Sequence, residues 1–277
     1  MTLIAQFSDT HIREPGRVAY GRVDTAAFLR RAVRSLQALP QKPDALLITG
    51  DLVDFGRPAE YRHLAELLAP VDMPVYLLAG NHDDPATLRA GFPSHSYLAE
   101  PVAGRHLQYS VRIGALRLVA LDTTVPRAGH GELCEERLAW LEAELAACAS
   151  ETVIVAMHHP PFPTLIGHMD AQGLLRGGER LREIIARHPN VERIVCGHLH
   201  RAIDVRFAGT LASTCPGPAH QVCLDLSPQA ASAFAMEPPG FRLHAWTPQA
   251  GLVTHLAAIG EFDGPHPFHE PGGALID

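Results

Sequence analysis

No stretch of this sequence approaches the roughly 20 consecutive apolar residues of a membrane span. The opening residues, MTLIAQFSDTHIREPG, carry no basic leader and turn polar after a short apolar stretch. A secretory signal is therefore not expected, and a cytoplasmic location is. Positive charge is not in surplus either: the formal balance is −7, whereas a nucleic-acid backbone calls for a basic stripe. Neither a nucleic-acid polymer nor a membrane is an expected partner. Cysteine is sparse, with Cys134, Cys148, Cys196, Cys215 and Cys223 scattered, odd in number and never in a Cys-x-x-Cys pair. That argues against a disulfide framework and leads to the expectation of buried thiols in a reducing cytoplasm. Internal repeats and low-complexity tracts are absent as well.

What is present is a globular composition. Apolar residues make up 47% and charged residues 19% of 277 positions, enough to bury a real core. Short apolar runs recur: LIAQF (3–7), ALLIT (45–49), VYLLA (75–79), LRLVAL (116–121), TVIVAM (152–157) and RIVC (193–196). Their length and their glycine or polar flanks favour buried strands. Helical patterns lie between them. Residues 24–39 align Leu29, Val33 and Leu36 behind an Asp/Thr start; residues 135–149 align Leu138, Leu141 and Leu145; residues 179–188 align Leu181, Ile184, Ile185 and His188. Alternation of this kind predicts an α/β protein whose sheets are covered by helices.

After residue 200 the pattern changes. The β-like pieces AIDVRF, HQVCLDL, FRLHAW and GLVTHLAAI are separated by Pro/Gly turns, with no helical period. They are expected to complete a second sheet and to supply a cap or dimerisation hairpin within 201–260. Residues 261–277 read as a loop-like tail, leaving one domain over 1–260.

The chemistry collects where the apolar runs stop. LIAQF is followed by Asp9 and His11, ALLIT by Asp51 and Asp54, VYLLA by Asn81 and His82, TVIVAM by His158 and His159, and RIVC by His198 and His200. Any one of these endings reads as a polar turn. Five of them in an α/β chain converge, because ligands bind at the carboxyl ends of strands in such sheets. Asp9 and His11 are two apart, as are His198 and His200, so in extended chain each pair points to one side. Mixed Asp, Asn and His donors without thiolate suit a pair of Fe, Mn, Zn or Co ions. Such a pair can generate hydroxide at neutral pH and clamp the oxygens of an in-line displacement at phosphorus.

In their order along the chain, DTH, GDLVD, GNHD, HH and GHLH resemble the motifs of the calcineurin-like metallophosphoesterases, and they span residues 9 to 200. The later PGPAHQV and EPPGFRLHAW resemble the bacterial branch with glycerophosphodiesterases and class III cyclic-nucleotide phosphodiesterases. The resemblance implies a four-layer α/β/β/α sandwich of two mixed sheets flanked by helices, with a β-rich C-terminal extension. It also implies two divalent or trivalent metal ions per chain. Asp9, His11 and His200 would hold the first, and Asn81, His158 and His198 the second. Asp51 would bridge them, and His82 would face the phosphate as the catalytic residue.

Supporting roles are expected for four more residues. Asp54 would hydrogen-bond a ligand or cap the following segment, and Asp83 would orient His82 or cap the helix beginning at Pro85. His159 would support its neighbour His158, and His220 in PGPAHQV would reach the substrate. Cys196 is expected to be a packed thiol, while His106, His130, His168, His244, His255, His266 and His269 have no motif context. The implied activity is hydrolysis of small phosphodiesters by attack of a metal-bound hydroxide. Candidate substrates are glycerophosphodiesters, 3′,5′-cyclic nucleotides and phosphonate monoesters. The alternatives are a phosphomonoesterase or protein phosphatase, for which Arg13 is the motif-adjacent cation, and a non-catalytic scaffold. A homodimer or larger homo-oligomer is expected, built from the segment after residue 200.

Overall fold

An apolar run with no polar alternation must be covered on both faces, and residues 2–7 and 45–49 are buried along their whole length. The computed structural model describes residues 1–99 and 106–277. The first third alternates β1 (Thr2–Phe7), α1 (Thr25–Gln37), β2 (Ala45–Thr49), α2 (Pro58–Leu68), β3 (Val75–Leu78) and α3 (Pro85–Gly91). Next come β4 (Tyr109–Ile113), β5 (Leu116–Ala120), β6 (Gly131–Glu132), α4 (Glu135–Ala147) and β7 (Thr152–Ala156). They are followed by α5 (Gly167–Asp170), β8 (Leu174–Arg176), α6 (Gly178–Arg187) and β9 (Val191–Cys196). Six strands close the chain: β10 (Ile203–Phe207), β11 (Thr210–Thr214), β12 (Gln221–Val222), β13 (Phe234–Ala235), β14 (Gly240–Thr247) and β15 (Gly251–Ala258).

Two mixed sheets result. The first has the order β15-β14-β1-β2-β3, parallel through β1, β2 and β3. The second has the order β10-β11-β9-β7-β5-β4, parallel from β11 to β5 with antiparallel edges. Alternate residues of β7 show the layering. Val153 and Val155 pack with Leu141 of α4 and Ile184 of α6, while Ile154 and Ala156 share a cluster with Leu47 of β2 and Leu29 of α1. Helices therefore cover the outer faces and the two sheets meet in the middle, in four layers.

The late strands divide between the sheets instead of all completing the second. β10 and β11 extend the second, but β14 lies antiparallel along β1, from Thr2↔Trp246 to Gln6↔Arg242, with β15 outside it. The reason is backbone satisfaction: β1 is buried and pairs with β2 on one side, so its other edge needs partners. HQVCLDL contributes two strand residues, Gln221 and Val222, to a small hairpin with β13. Residues 261–277 contain no named helix or strand and are exposed. α2 lies outside the three helical patterns of the sequence. It starts on Pro58, and the Glu60 carboxylate accepts from the backbone N–H of Phe55 (3.0 Å) and Arg57 (3.1 Å), closing its first turn.

Candidate metal centre

Five parallel strands deliver their carboxyl-terminal loops to one place, and the backbone there is unusual. Asp9, His11, Asp51, His198 and His200 have φ of 56°, 43°, 47°, 70° and 51°. Side chains other than glycine avoid this left-handed region at a cost of about 1–2 kcal/mol each. The pleat argument for the two D-x-H and H-x-H pairs therefore does not hold. Each pair shares the site because left-handed turns beyond β1 and β9 aim both members inward. Strain of this kind persists where surrounding bonds impose it. Here Asp9 N–H donates to Gly50 C=O (3.0 Å), His11 N–H to Asp51 C=O (3.0 Å), and His198 N–H to the Asp9 carboxylate (3.0 and 3.1 Å).

The glycines of GNH and GHLH serve close approach. A Cβ at Gly80 would lie 2.3 Å from Asp51 Oδ1 and 2.8 Å from His158 Cε1. At Gly197 it would lie 2.2 Å from Ser8 Oγ and 2.5 Å from Thr49 O.

Asp51 sits at the middle of the cluster. One carboxylate oxygen is 3.4 Å from His158 Nε2 and the other 3.6 Å from His11 Nε2. On the first side, His11 Nε2 faces His200 Nε2 at 3.2 Å, and Asp9 lies 3.6 Å from His200. On the second side, Asn81 Oδ1 is 3.1 Å from both His158 Nε2 and His198 Nδ1. The opposite nitrogens are tied back. His158 Nδ1 donates to Thr49 C=O (2.8 Å), His200 Nδ1 to His220 C=O (3.2 Å), and His11 Nδ1 to the Asp54 carboxylate (3.3 Å). In the neutral rings those Nδ1 protons are committed, so the Nε2 atoms of His11, His158 and His200 then present lone pairs to one another and to oxygen acceptors. Acceptors facing acceptors in a buried site are what a cation satisfies, so the residues present fit a metal centre.

Electrostatically the cluster's own side chains divide, with His158 and His11 favouring the protonated ring and His198 and His200 the neutral one. Burial pushes the Asp9 carboxyl up. Burial would also raise Asp51, but His158 and His82 outweigh it and hold its carboxyl well below the usual range. Burial disfavours charge on His158 and His11, yet their carboxylate neighbours, Asp51 beside His158 and Asp54 with Asp51 beside His11, raise both. Desolvation lowers His200 and takes His198 down to about 3, keeping both rings neutral, as metal ligation requires. Four overlapping groups of donors lie close enough to share an ion: Asp9–His11–His200, Asp9–Asp51–His158, His158–His159–His198 and His11–Asp54–His82.

His82 lies at the edge, its side chain about one-third exposed (34%). Its backbone N–H donates to Asp51 Oδ1 (2.9 Å) and its ring Nδ1 to the carbonyl of Asp54 (2.9 Å). Asp83 does not orient it. The Asp83 carboxylate accepts from the backbone N–H of Leu52, Val53 and Gly80 and from the Tyr61 hydroxyl, locking the loop before Asn81 to the loop after β2. Nor does Asp83 cap α3; Asp84 does, accepting from Thr87 N–H (2.7 Å). Asp54 reaches His11 and also Arg13 (3.0 Å). His159 uses both nitrogens, on Thr123 Oγ1 (2.8 Å) and Gly129 C=O (3.2 Å). Cys196 is fully buried in the core around α4 and α6, and Cys148 and Cys215 are buried too. Cys134, just before α4, is exposed and Cys223 is half-buried, so the thiols are not all core residues.

A cavity of about 390 Å³ opens over the cluster. His220 lines it, its pKa depressed by burial to about 3, beside Tyr20 and Phe234 at ring separations of 5.1 Å. His168, Met169 and Gln172 form the facing wall. Tyr20, Gln172 and Phe234 carried no motif signal, since their neighbourhood is made by chain segments far apart. His168, without motif context, joins them. His244, by contrast, is buried away from the site, between Gln6 Oε1 (3.0 Å) and Thr254 Oγ1 (2.8 Å).

The comparisons with known proteins point the same way. The family model for calcineurin-like phosphoesterases matches residues 2–202. A probable glycerophosphodiester phosphodiesterase GpdQ of Arcobacter nitrofigilis is 38% identical, over 99% of this chain and all of the relative. The 3′,5′-cyclic adenosine monophosphate phosphodiesterase CpdA of Escherichia coli K12 is 31% identical, over 87% of this chain and 85% of the relative. Among solved structures, a dimetal phosphatase from Danio rerio superposes with a TM-score of 0.62 at 18% identity, over 94% of this chain and 99% of that one, a likeness of fold. The chain belongs to the calcineurin-like phosphoesterase family, whose members are hydrolases.

Proposed function

We propose that this metallophosphoesterase is a dinuclear phosphodiesterase acting on small phosphodiesters. The observation that carries the reading is the placement of Asp51, with one carboxylate oxygen beside His158, which in turn meets Asn81, and the other beside His11, which in turn meets His200. Asp9, His11 and His200 would hold one ion, Asn81, His158 and His198 the other, and Asp51 would contact both. Divalent ions bound there supply Lewis-acid charge for phosphoryl oxygens and make water nucleophilic at neutral pH.

The protein's own residues set the rest. Thr49 C=O, His220 C=O and Asp54 fix the tautomers of the three histidines they hold. Because the His82 Nδ1 proton is held by the Asp54 carbonyl, its exchangeable position toward substrate is Nε2. Protonated, that atom hydrogen-bonds a phosphoryl oxygen or hands its proton to the departing alkoxide.

Diesters are favoured over monoesters by the cavity wall. A dianionic monoester calls for an extra cation, and among the described residues no Lys or Arg lines the cavity over the cluster. Arg13 is already engaged by Asp54 (3.0 Å) and Glu60 (3.4 Å). The names of the GpdQ and CpdA relatives support the same reaction class. A protein with every donor present also gives the scaffold reading little support. Reconstituted protein should turn over bis(p-nitrophenyl) phosphate well above p-nitrophenyl phosphate; the reverse preference would replace this reading with the phosphatase one. Assembly as a homodimer through the strands after residue 200 belongs to the same proposal. β15 is a sheet edge with Leu256 61% exposed, and a monodisperse monomer at micromolar concentration would refute it.

A further inference from the structure

A second cavity, of about 320 Å³, lies on the other side of His82. Asn81 and His82 line both it and the cavity over the Asp/His cluster. Its remaining walls come from Phe55, Gly56, the run Asp83–Pro85 and the turn Thr124–Arg127. Phosphorus in a diester carries two ester arms that diverge at a tetrahedral angle. A phosphoryl group held beside His82 would send one arm toward Tyr20, His220 and Phe234 and the other into this second space.

The charge of the second cavity is distinctive. Asp83 is engaged by three backbone N–H groups and the Tyr61 hydroxyl, and Asp84 by Thr87. The neighbouring Arg13 and Arg57 lie over the Phe55 ring at 4.4 and 4.9 Å and are paired with Asp54 and Glu60, and with Glu14. Arg127 differs. Among the described residues it has no ion pair or hydrogen bond, and it sits at φ 65° in a turn closed by Ala128 N–H on Val125 C=O (3.1 Å). Arg127 thus combines a strained backbone and an exposed, unpartnered side chain with a place in the lining of a cavity that shares His82 with the candidate centre.

We propose that this second cavity is the subsite for one ester arm of the substrate, and that Arg127 selects arms ending in a carboxylate or phosphate. The inference rests on the diesterase reading and adds which arm goes where and with what charge.

The test uses metal-loaded, full-length protein and two diesters that differ at one end, 4-nitrophenyl propyl phosphate and 4-nitrophenyl 2-carboxyethyl phosphate. Wild type should prefer the carboxylate substrate about tenfold in kcat/KM, the scale of one charge-assisted hydrogen bond. Arg127→Asn, which keeps a residue tolerant of left-handed φ, should abolish that preference through KM, with the propyl ester changed less than twofold. Arg127→Lys should retain part of it. Equal losses on both esters, or an unchanged preference, overturn the subsite while diester turnover itself stays intact. If wild type hydrolyses neither diester, the diesterase reading falls first and the subsite with it.

Discussion

Asp54→Ala separates support of a metal ligand from contact with substrate. The carboxylate is buried (5% exposed) and divides its oxygens between His11 Nδ1 (3.3 Å) and Arg13 Nη1 (3.0 Å). Deleting it frees the His11 ring to rotate and to change tautomer, so Nε2 no longer points its lone pair at the cluster. Loss of such a hydrogen bond behind a ligating histidine typically lowers metal affinity about 10–100-fold, which is about 1.4–2.8 kcal/mol. His82 should be largely spared, because alanine keeps the backbone carbonyl that holds its Nδ1 at 2.9 Å and removes only a carboxylate oxygen 3.7 Å away. The expected result is therefore split: weaker metal binding, measured by titration of stripped protein, with kcat at saturating metal reduced less than about threefold. Asp54→Asn keeps an oxygen for His11 and loses the charge, so its affinity should fall between the two. Unchanged metal affinity in Asp54→Ala, or an asparagine variant weaker than the alanine one, would refute the reasoning.

The remaining predictions concern other links in the same structure. His82→Ala should lower kcat for a diester about 10²–10⁴-fold with metal content normal; activity within a fewfold of wild type would remove its role. Gly80→Ala should displace Asp51 and His158, because its Cβ would be 2.3 and 2.8 Å from them. A stability loss of about 1–3 kcal/mol by urea unfolding and a fall in bound metal are expected, whereas wild-type metal content would show that the close approach is dispensable. His244 concerns pH. Burial, with Arg193 and Arg242 nearby, depresses it to about 3, so the folded protein stays unprotonated where the unfolded chain takes up a proton. Stability from this residue is complete above its unfolded pKa near 6.5 and declines as pH falls from there to about 3, by about 2 kcal/mol between pH 7 and 5. His244→Gln should lose that much less over the interval; identical pH dependence in the two proteins would contradict the assignment.

That these residues gather in one place was legible because each sits within a few residues of an apolar run, and parallel strands bring their carboxyl ends together whatever the intervening sequence. Asp9, Asp51, Asn81, His158 and His198 needed no long-range information beyond that rule. Their backbone conformations were not legible, since left-handed φ at Asp9 or His200 is imposed by bonds to other loops. The destination of a carboxylate is equally non-local. Asp83 and Asp84 are adjacent, yet one locks two loops together through Leu52, Val53 and Gly80 and the other caps a helix. For the same reason FRLHAW read as a strand without revealing that β1 would be its partner. The wall built by Tyr20, Gln172 and Phe234 assembles only once α5 and the β12–β13 hairpin are in place.

The central claim is a two-metal centre that hydrolyses diesters, and a single titration addresses it. Metal-stripped protein would receive Mn²⁺ in steps, with bound metal and turnover of bis(p-nitrophenyl) phosphate and p-nitrophenyl phosphate followed at each. Diester turnover rising until two equivalents are bound per chain, and exceeding monoester turnover throughout, is the predicted result. Saturation at one equivalent, monoester preference, or no turnover with both equivalents bound would contradict it.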